Sequence, residues 1–186
     1  VHYFAYFNIF DIFPQTRDDV DFSLLTRFTS HNHQAGWIGP AGTFTGYHFD
    51  WPDNIFAQVV GSKEIRMVSP DQSDKMYPTE KFDYLTRQSA VDVDRYDSGK
   101  YPRFAEVEEL SVILQRGELI FIPSQWWHCI RSREFSISVN NFGYTLSGGL
   151  RNGLPEFGRL ILHQLGWYQK NNCCCHMIQD GRRVAK

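Results

Sequence analysis
Apolar residues return at every second position in one stretch after another of this chain, the period of a β-strand with one buried face. Lys63, Ile65 and Met67 fall on one side of such a run, and Glu64, Arg66 and Val68 on the other. Residues 54–60 form a second apolar run, and with Gly61-Ser62 between them the two predict a hairpin. Strands are also predicted at residues 1–13, ending in a turn at Phe13-Pro14, at 35–40, where Gly39-Pro40 stops the run, and at 42–50, 110–114 and 135–142. A strand-like run from Gly117, strongest over residues 118–123, ends at His128. Residues 16–27 suit a short helix or a loop, and 70–77 one helical turn. Residues 79–109 show no period, and an irregular stretch of that length often carries function.

Near residue 155 the period becomes helical. Pro155 suits a first helical position and Glu156 the positive end of the helix dipole, and Phe157, Leu160, Ile161, Leu165 and Tyr168 make an apolar stripe. That stripe must cover something, either the chain's own sheet or a second copy in a homodimer. The tail from Asn171, with Cys173, Cys174, Cys175, His176, Arg182, Arg183 and Lys186, reads as loose. The expected division is a β-domain at residues 1–150 and a helix with a basic, cysteine-containing tail at 151–186. Many short strands with turns between them predict a mainly β fold, a barrel or jelly roll, with a C-terminal helix.

Composition narrows the function classes. At 186 residues, 42% hydrophobic and 16% aromatic, the chain suits one aromatic-rich β-domain with a real core. Its net charge of −2 offers no basic excess to attract nucleic acid. No apolar run is long enough to span a bilayer, so no membrane partner is expected. The chain opens at Val1 inside strand-like sequence, which leads us to expect that N-terminal elements precede it. Four cysteines, three of them consecutive, do not resemble a disulfide framework and suit a reducing cytoplasmic or nuclear setting.

His48 and Asp50 carry the chemistry. Two positions apart on one strand, they point to the same side. His128 is the obvious third group, and two imidazoles with one carboxylate form the facial triad of non-haem Fe(II) oxygenases. Lys63 adds independent evidence. If Ile65 and Met67 face the core, so does its ammonium, and a buried lysine calls for an anionic partner such as a small dicarboxylate. His31 and His33 lie in a polar, turn-like stretch without a third ligand. Adjacent cysteines in the tail lack the usual spacer for a shared zinc ion.

Taken together, Trp37-Ile38-Gly39-Pro40, Thr45, His48-Phe49-Asp50, Asn54, Lys63, Ser69-Pro70-Asp71, residues 117–123 and Trp126-Trp127-His128 resemble the JmjC hydroxylases. These are cupin-like Fe(II)- and 2-oxoglutarate-dependent oxygenases on a double-stranded β-helix. The resemblance runs from Tyr3 to about Tyr144 and is nearest to the small protein hydroxylases, the asparaginyl hydroxylase acting on hypoxia-inducible factor and the arginyl-hydroxylase branch. The spacing holds too: the lysine follows the first histidine by fifteen positions and the threonine precedes it by three.

The resemblance implies Fe(II) held by His48, Asp50 and His128, with O2 and 2-oxoglutarate as co-substrates. It implies that Lys63, Thr45 and Tyr3 bind the far carboxylate, that Asn54 and Asn140 line the same pocket, and that Trp37 faces the substrate. Strict alternation puts Thr45 on the face opposite His48, so its role requires a bulge, for which Gly46 is the expected place. A protein or peptide substrate is expected, hydroxylated on a basic side chain. Trp37 would offer it an aromatic face, and Asp83, Asp92, Asp94 and Asp97 would attract its charge. The alternatives are demethylation of methyl-lysine, action on a modified tRNA, and a catalytically silent JmjC-like binding module.

Overall fold
In a computed structural model, residues 3–179 and 182–185 are described. Two five-stranded antiparallel sheets face each other, the arrangement of a double-stranded β-helix. The first sheet has the order β1 (Phe4–Phe7), β2 (Ser30–Gly39), β10 (Ser136–Tyr144), β4 (Asp53–Val60), β8 (Leu119–Ile122). The second runs β6 (Thr86–Gln88), β3 (Phe44–Asp50), β9 (Trp127–Ser132), β5 (Lys63–Val68), β7 (Leu110–Leu114). A separate hairpin of β11 (His176–Gln179) and β12 (Arg182–Ala185) closes the chain. The short helices α1 (Ile9–Ile12) and α2 (Ser23–Thr26) precede β2, and α3 (Leu146–Gly148) and α4 (Leu154–Gln164) follow β10.

Alternation sorts the side chains into three apolar layers. Phe56, Ile65, Met67, Leu114 and Ile122 pack between the sheets. On the outer side of the first sheet, Ile55, Ala57 and Val139 meet Phe10 of α1, Phe22 and Leu25 of α2. On the outer side of the second, Tyr47, Phe49, Val68, Trp127 and Cys129 are covered by the long loop through Met76, with Val93, Phe104 and Val107 packed alongside. Trp127 is fully buried there, its indole N–H donating to Ser73 Oγ at 2.9 Å. The expected inward face of Lys63, Ile65 and Met67 is the observed one.

Several expectations about local structure fail, among them the strand over residues 1–13, which ends at Phe7 and gives way to α1. β4 and β5 do not form a hairpin: β4 pairs with β10 and β8, and β5 with β9 and β7. Gly61 carries the chain from one sheet to the other with φ +70°, and a Cβ there would collide with the Phe135 carbonyl oxygen. His128 is likewise not the end of the strand at 118–123. The first-sheet strand β8 stops at Ile122, the chain turns with Gln125 at φ +66°, and His128 is the second residue of β9 in the facing sheet. His31 and His33 belong to β2 rather than to a turn.

The helix at Pro155 forms as expected, with the proline in its first turn. Its buried residues, however, are Glu156 and His163, while Leu154, Phe157, Ile161 and Leu165 stay exposed. Glu156 is offset by Arg159 one turn along, whose guanidinium lies over the Trp51 ring. The apolar stripe therefore does not cover this chain's own sheet. The described part of the tail is not loose either: Phe82 forms a parallel bridge with Cys173, its N–H donating to the Asn172 carbonyl at 2.8 Å and its carbonyl accepting from Cys174 N–H at 3.0 Å, while Lys186 lies outside the described residues. No helix of the described residues is long and apolar enough to cross a membrane.

Candidate metal and co-substrate site
His48 and His128 are direct register partners on adjacent antiparallel strands, with ring centroids 4.2 Å apart. Asp50, two residues along β3, reaches the same side, its Oδ2 3.6 Å from His128 Nε2. One ligand atom from each of the three lies within 4.8 Å of the others. Both imidazoles are oriented by a backbone carbonyl two residues before them. His48 Nδ1 is 2.8 Å from the Gly46 carbonyl and His128 Nδ1 is 2.9 Å from the Trp126 carbonyl. A carbonyl only accepts, so the proton belongs on each Nδ1, and each Nε2 lone pair is left for the cavity, the arrangement that metal-bound histidines favour.

The electrostatics ask for a cation. Burial pushes the Asp50 carboxyl above its ordinary value, the nearby His48 opposing this. Burial, with His48 adding to it, pushes His128 down to about 3, so this imidazole is neutral at physiological pH and cannot offset the carboxylate. A divalent ion would satisfy two imidazole nitrogens and a carboxylate at once, and the donor set fits one.

The same cavity, about 500 Å³, is lined by Tyr3, Trp37, Thr45, His48, Asp50, Asn54, Lys63, His128 and Asn140, the residues to which the resemblance assigned metal, co-substrate and substrate contacts. Lys63 opens β5 and is only 2% exposed, its Nζ 5.2 Å from the centre of the Phe56 ring. Burial alone moves its ammonium down to about 8, with no acid among the described residues offsetting it. Thr45 arrives on the His48 side through the expected irregularity. Thr45 pairs with Ile130 and His48 with His128, so three steps on β3 oppose two on β9, the signature of a bulge.

Tyr3 packs against Gly39, where a Cβ would sit 2.7 Å from its ring. Burial raises its phenol, partly offset by the Thr45 hydroxyl beside it. From the facing sheet come Asn54, whose buried Oδ1 has no hydrogen-bond partner, and Asn140, whose Oδ1 accepts from the Trp37 indole N–H at 3.0 Å. A buried ammonium and two hydroxyls facing a metal triad suit a small dicarboxylate spanning the cavity.

Sequence reasoning missed a second cavity of about 420 Å³, which shares Asp50, Tyr6, Thr86 and Phe142 with the first. Tyr84, Tyr144, His33 and Asp83 complete most of its wall. Of the four acids expected to attract a cationic substrate, only Asp83 lines it. Asp94 pairs with Arg131 at 2.5 Å, Asp92 with Arg95 at 4.0 Å, and Asp97 accepts from Gly99 and Lys100 N–H. Tyr6 carried no motif; its position follows from β1 pairing with β2 beside Trp37.

Residues 1–145 match the cupin-like domain family. The chain belongs to the JmjC cupin-like family. Lysine-specific demethylase JMJ30 of Arabidopsis thaliana is 38% identical over 141 residues, covering 74% of this chain and 32% of that protein. Lysine-specific demethylase 8 of Xenopus tropicalis is 35% identical over 144 residues, 75% of this chain and 32% of that protein. tRNA wybutosine-synthesizing protein 5 of Gallus gallus is 34% identical over 105 residues, 56% of this chain and 31% of that protein. The chain thus spans about a third of the length of these curated relatives.

Proposed function
We propose that this chain is the catalytic domain of an Fe(II)- and 2-oxoglutarate-dependent oxygenase that hydroxylates a basic side chain of a polypeptide. The observation that carries the reading is Lys63, a buried ammonium without an acidic partner among the described residues, in the cavity that holds the His48, Asp50 and His128 donor set. His48, Asp50 and His128 would hold the iron; Lys63, with the Thr45 and Tyr3 hydroxyls, would hold the far carboxylate of 2-oxoglutarate. Iron and 2-oxoglutarate together would reduce dioxygen, releasing succinate and carbon dioxide and delivering one oxygen atom to the substrate.

The chain's own contribution is positioning. Nδ1 contacts to Gly46 and Trp126 fix both imidazoles before a metal arrives, and the Asn140 contact fixes the Trp37 ring at the cavity wall. Asn54 Oδ1 is left to accept from whatever enters. The apolar layer around Ile65 and Ile122 closes off water from beneath.

The second cavity supports a cationic substrate. Tyr6, Tyr84 and Tyr144 offer aromatic faces and Asp83 a carboxylate, next to Asp50. Cation–aromatic contacts of this kind are worth about 0.5–2 kcal/mol each. The same lining also accepts a methylated ammonium, and the names of two relatives favour that second reading, demethylation of methyl-lysine. With all three ligands in place, a silent binding module has no supporting observation. A net charge of −2 offers little to a tRNA.

The exposed stripe Leu154, Phe157, Ile161 and Leu165 supports pairing with a second copy through α4, at helical spacing on one face. Mass spectrometry of arginine- and lysine-containing peptides, turned over with Fe(II) and 2-oxoglutarate, tests the chemistry. One added oxygen on an unmethylated peptide, absent with His48→Ala, is the expected result; loss of a methyl group with formaldehyde release, or activity confined to RNA, overturns hydroxylation.

A further inference from the structure
A second convergence of donor atoms lies at the end of the chain, outside the cavity lining described above. His163 sits in the last turn of α4, fully buried, its ring 4.4 Å from that of Phe82. Its Nε2 is 3.3 Å from His176 Nδ1 and 3.3 Å from Cys175 Sγ. His176 Nδ1 is also 3.1 Å from Cys175 Sγ and 3.7 Å from Cys173 Sγ. One ligand atom from each of these four residues falls within 4.8 Å of the others.

We propose that His163, Cys173, Cys175 and His176 form a Cys2His2 site for a structural zinc ion. Hydrogen bonds alone do not account for the geometry. His176 Nδ1 has either one lone pair or one hydrogen, yet three heteroatoms crowd it at 3.1–3.7 Å. A central cation satisfies all four atoms together. Zinc–sulfur bonds of about 2.3 Å and zinc–nitrogen bonds of about 2.0–2.1 Å at tetrahedral angles place nitrogens about 3.3–3.4 Å apart and nitrogen and sulfur about 3.5–3.6 Å apart. The observed nitrogen–nitrogen edge is 3.3 Å and the nitrogen–sulfur edges bracket the expected value.

His163 is also in the metal-binding tautomer. Its Nδ1 lies 2.8 Å from the Tyr168 carbonyl, which can only accept, so the proton is there and Nε2 offers its lone pair to the cluster. Cys174 answers the objection that adjacent cysteines cannot share an ion: it is directed to Asp83 and Lys81, which makes the spacing Cys-x-Cys-His.

Two thiolates and two imidazoles without a carboxylate suit zinc rather than the iron expected at His48, Asp50 and His128. Four protein ligands leave no open position, so the role is structural. The ion would pin the tail to α4 and, through the Phe82–Cys173 bridge, to the segment carrying Asp83 and Tyr84 of the second cavity. The proposal does not rest on the oxygenase reading.

The test is elemental analysis of the 186-residue chain purified in metal-free buffer, with the His48→Ala/Asp50→Ala double variant removing the other site. That variant should keep about one zinc per chain, and Cys173→Ser/Cys175→Ser should lose it. Should the cysteine variant not fold, cobalt substitution of the His48→Ala/Asp50→Ala chain decides. Intense absorption from tetrahedral, thiolate-ligated cobalt supports the site, with the exposed Cys175 resisting alkylation until a chelator is added. Zinc-free His48→Ala/Asp50→Ala protein, a cobalt spectrum without thiolate bands, or Cys175 alkylated equally fast with and without chelator overturns it.

Discussion
Replacing Lys63 by methionine keeps most of the side-chain volume and removes the charge. With its pKa lowered from 10.5 to about 8, the ammonium costs the folded chain about 3 kcal/mol. A group that binds its proton less tightly folded than unfolded makes stability rise with pH between those two values. The penalty is therefore complete below about pH 8 and gone above about pH 10.5. Lys63→Met should be more stable than wild type without ligand by up to about 3 kcal/mol at pH 7, the gap closing as pH rises through that window.

Binding should move the other way. A charge-assisted hydrogen bond is worth about 1.5–3 kcal/mol, so 2-oxoglutarate should bind the variant about tenfold to a hundredfold more weakly. Urea titrations across the pH range measure the first effect, and calorimetry with Mn(II) as an inert metal measures the second. An unchanged 2-oxoglutarate Kd, or a stability gap indifferent to pH, would refute Lys63 as the anchor.

Asp50→Ala should weaken Mn(II) binding, read by electron paramagnetic resonance, by more than about a hundredfold, since even the outer partners of metal ligands are worth ten- to a hundredfold. Its urea midpoint should hold or rise, because a carboxylate that burial disfavours is gone. Trp37→Phe strips Asn140 Oδ1 of its indole donor and should cost about 1–3 kcal/mol in urea unfolding; no change would show that water replaces the indole. Sedimentation should show wild type associating and Leu154→Arg/Ile161→Arg monomeric at equal stability, and a monomeric wild type would reject pairing through α4.

The candidate site was more legible in the sequence than the path of the chain around it. Period-two alternation states which face a residue occupies, and that sufficed to bring Lys63 and His48 into one cavity. It does not state which strand lies alongside. Hence residues 54–60 and 63–68 read as a hairpin although Gly61 sends them to opposite sheets, and His128 was attached to the strand before its own. Thr45 was recovered only because a resemblance demanded a bulge that alternation would have denied. The tail was misread for a different reason. Its order depends on His163, ten residues before Cys173, and on Phe82, far earlier in the chain, and no local pattern announces either contact.

The alternation of sheets also has a kinetic side. From β2 to β10, no two consecutive strands pair with each other among the described residues. His48 meets His128 across eighty positions, and β10, the last of the ten, lies between β2 and β4. Among the described residues no consecutive strands from β2 to β10 give a local hairpin from which the two sheets could start to grow, and loop closure must come before most contacts return any stability. Folding on the order of milliseconds to seconds is the scale for such topologies. During synthesis, β2 and β4 each keep an open edge until Tyr144 has left the ribosome, and His48 and Asp50 wait for His128, so no ion can be held by all three before β9 has been made.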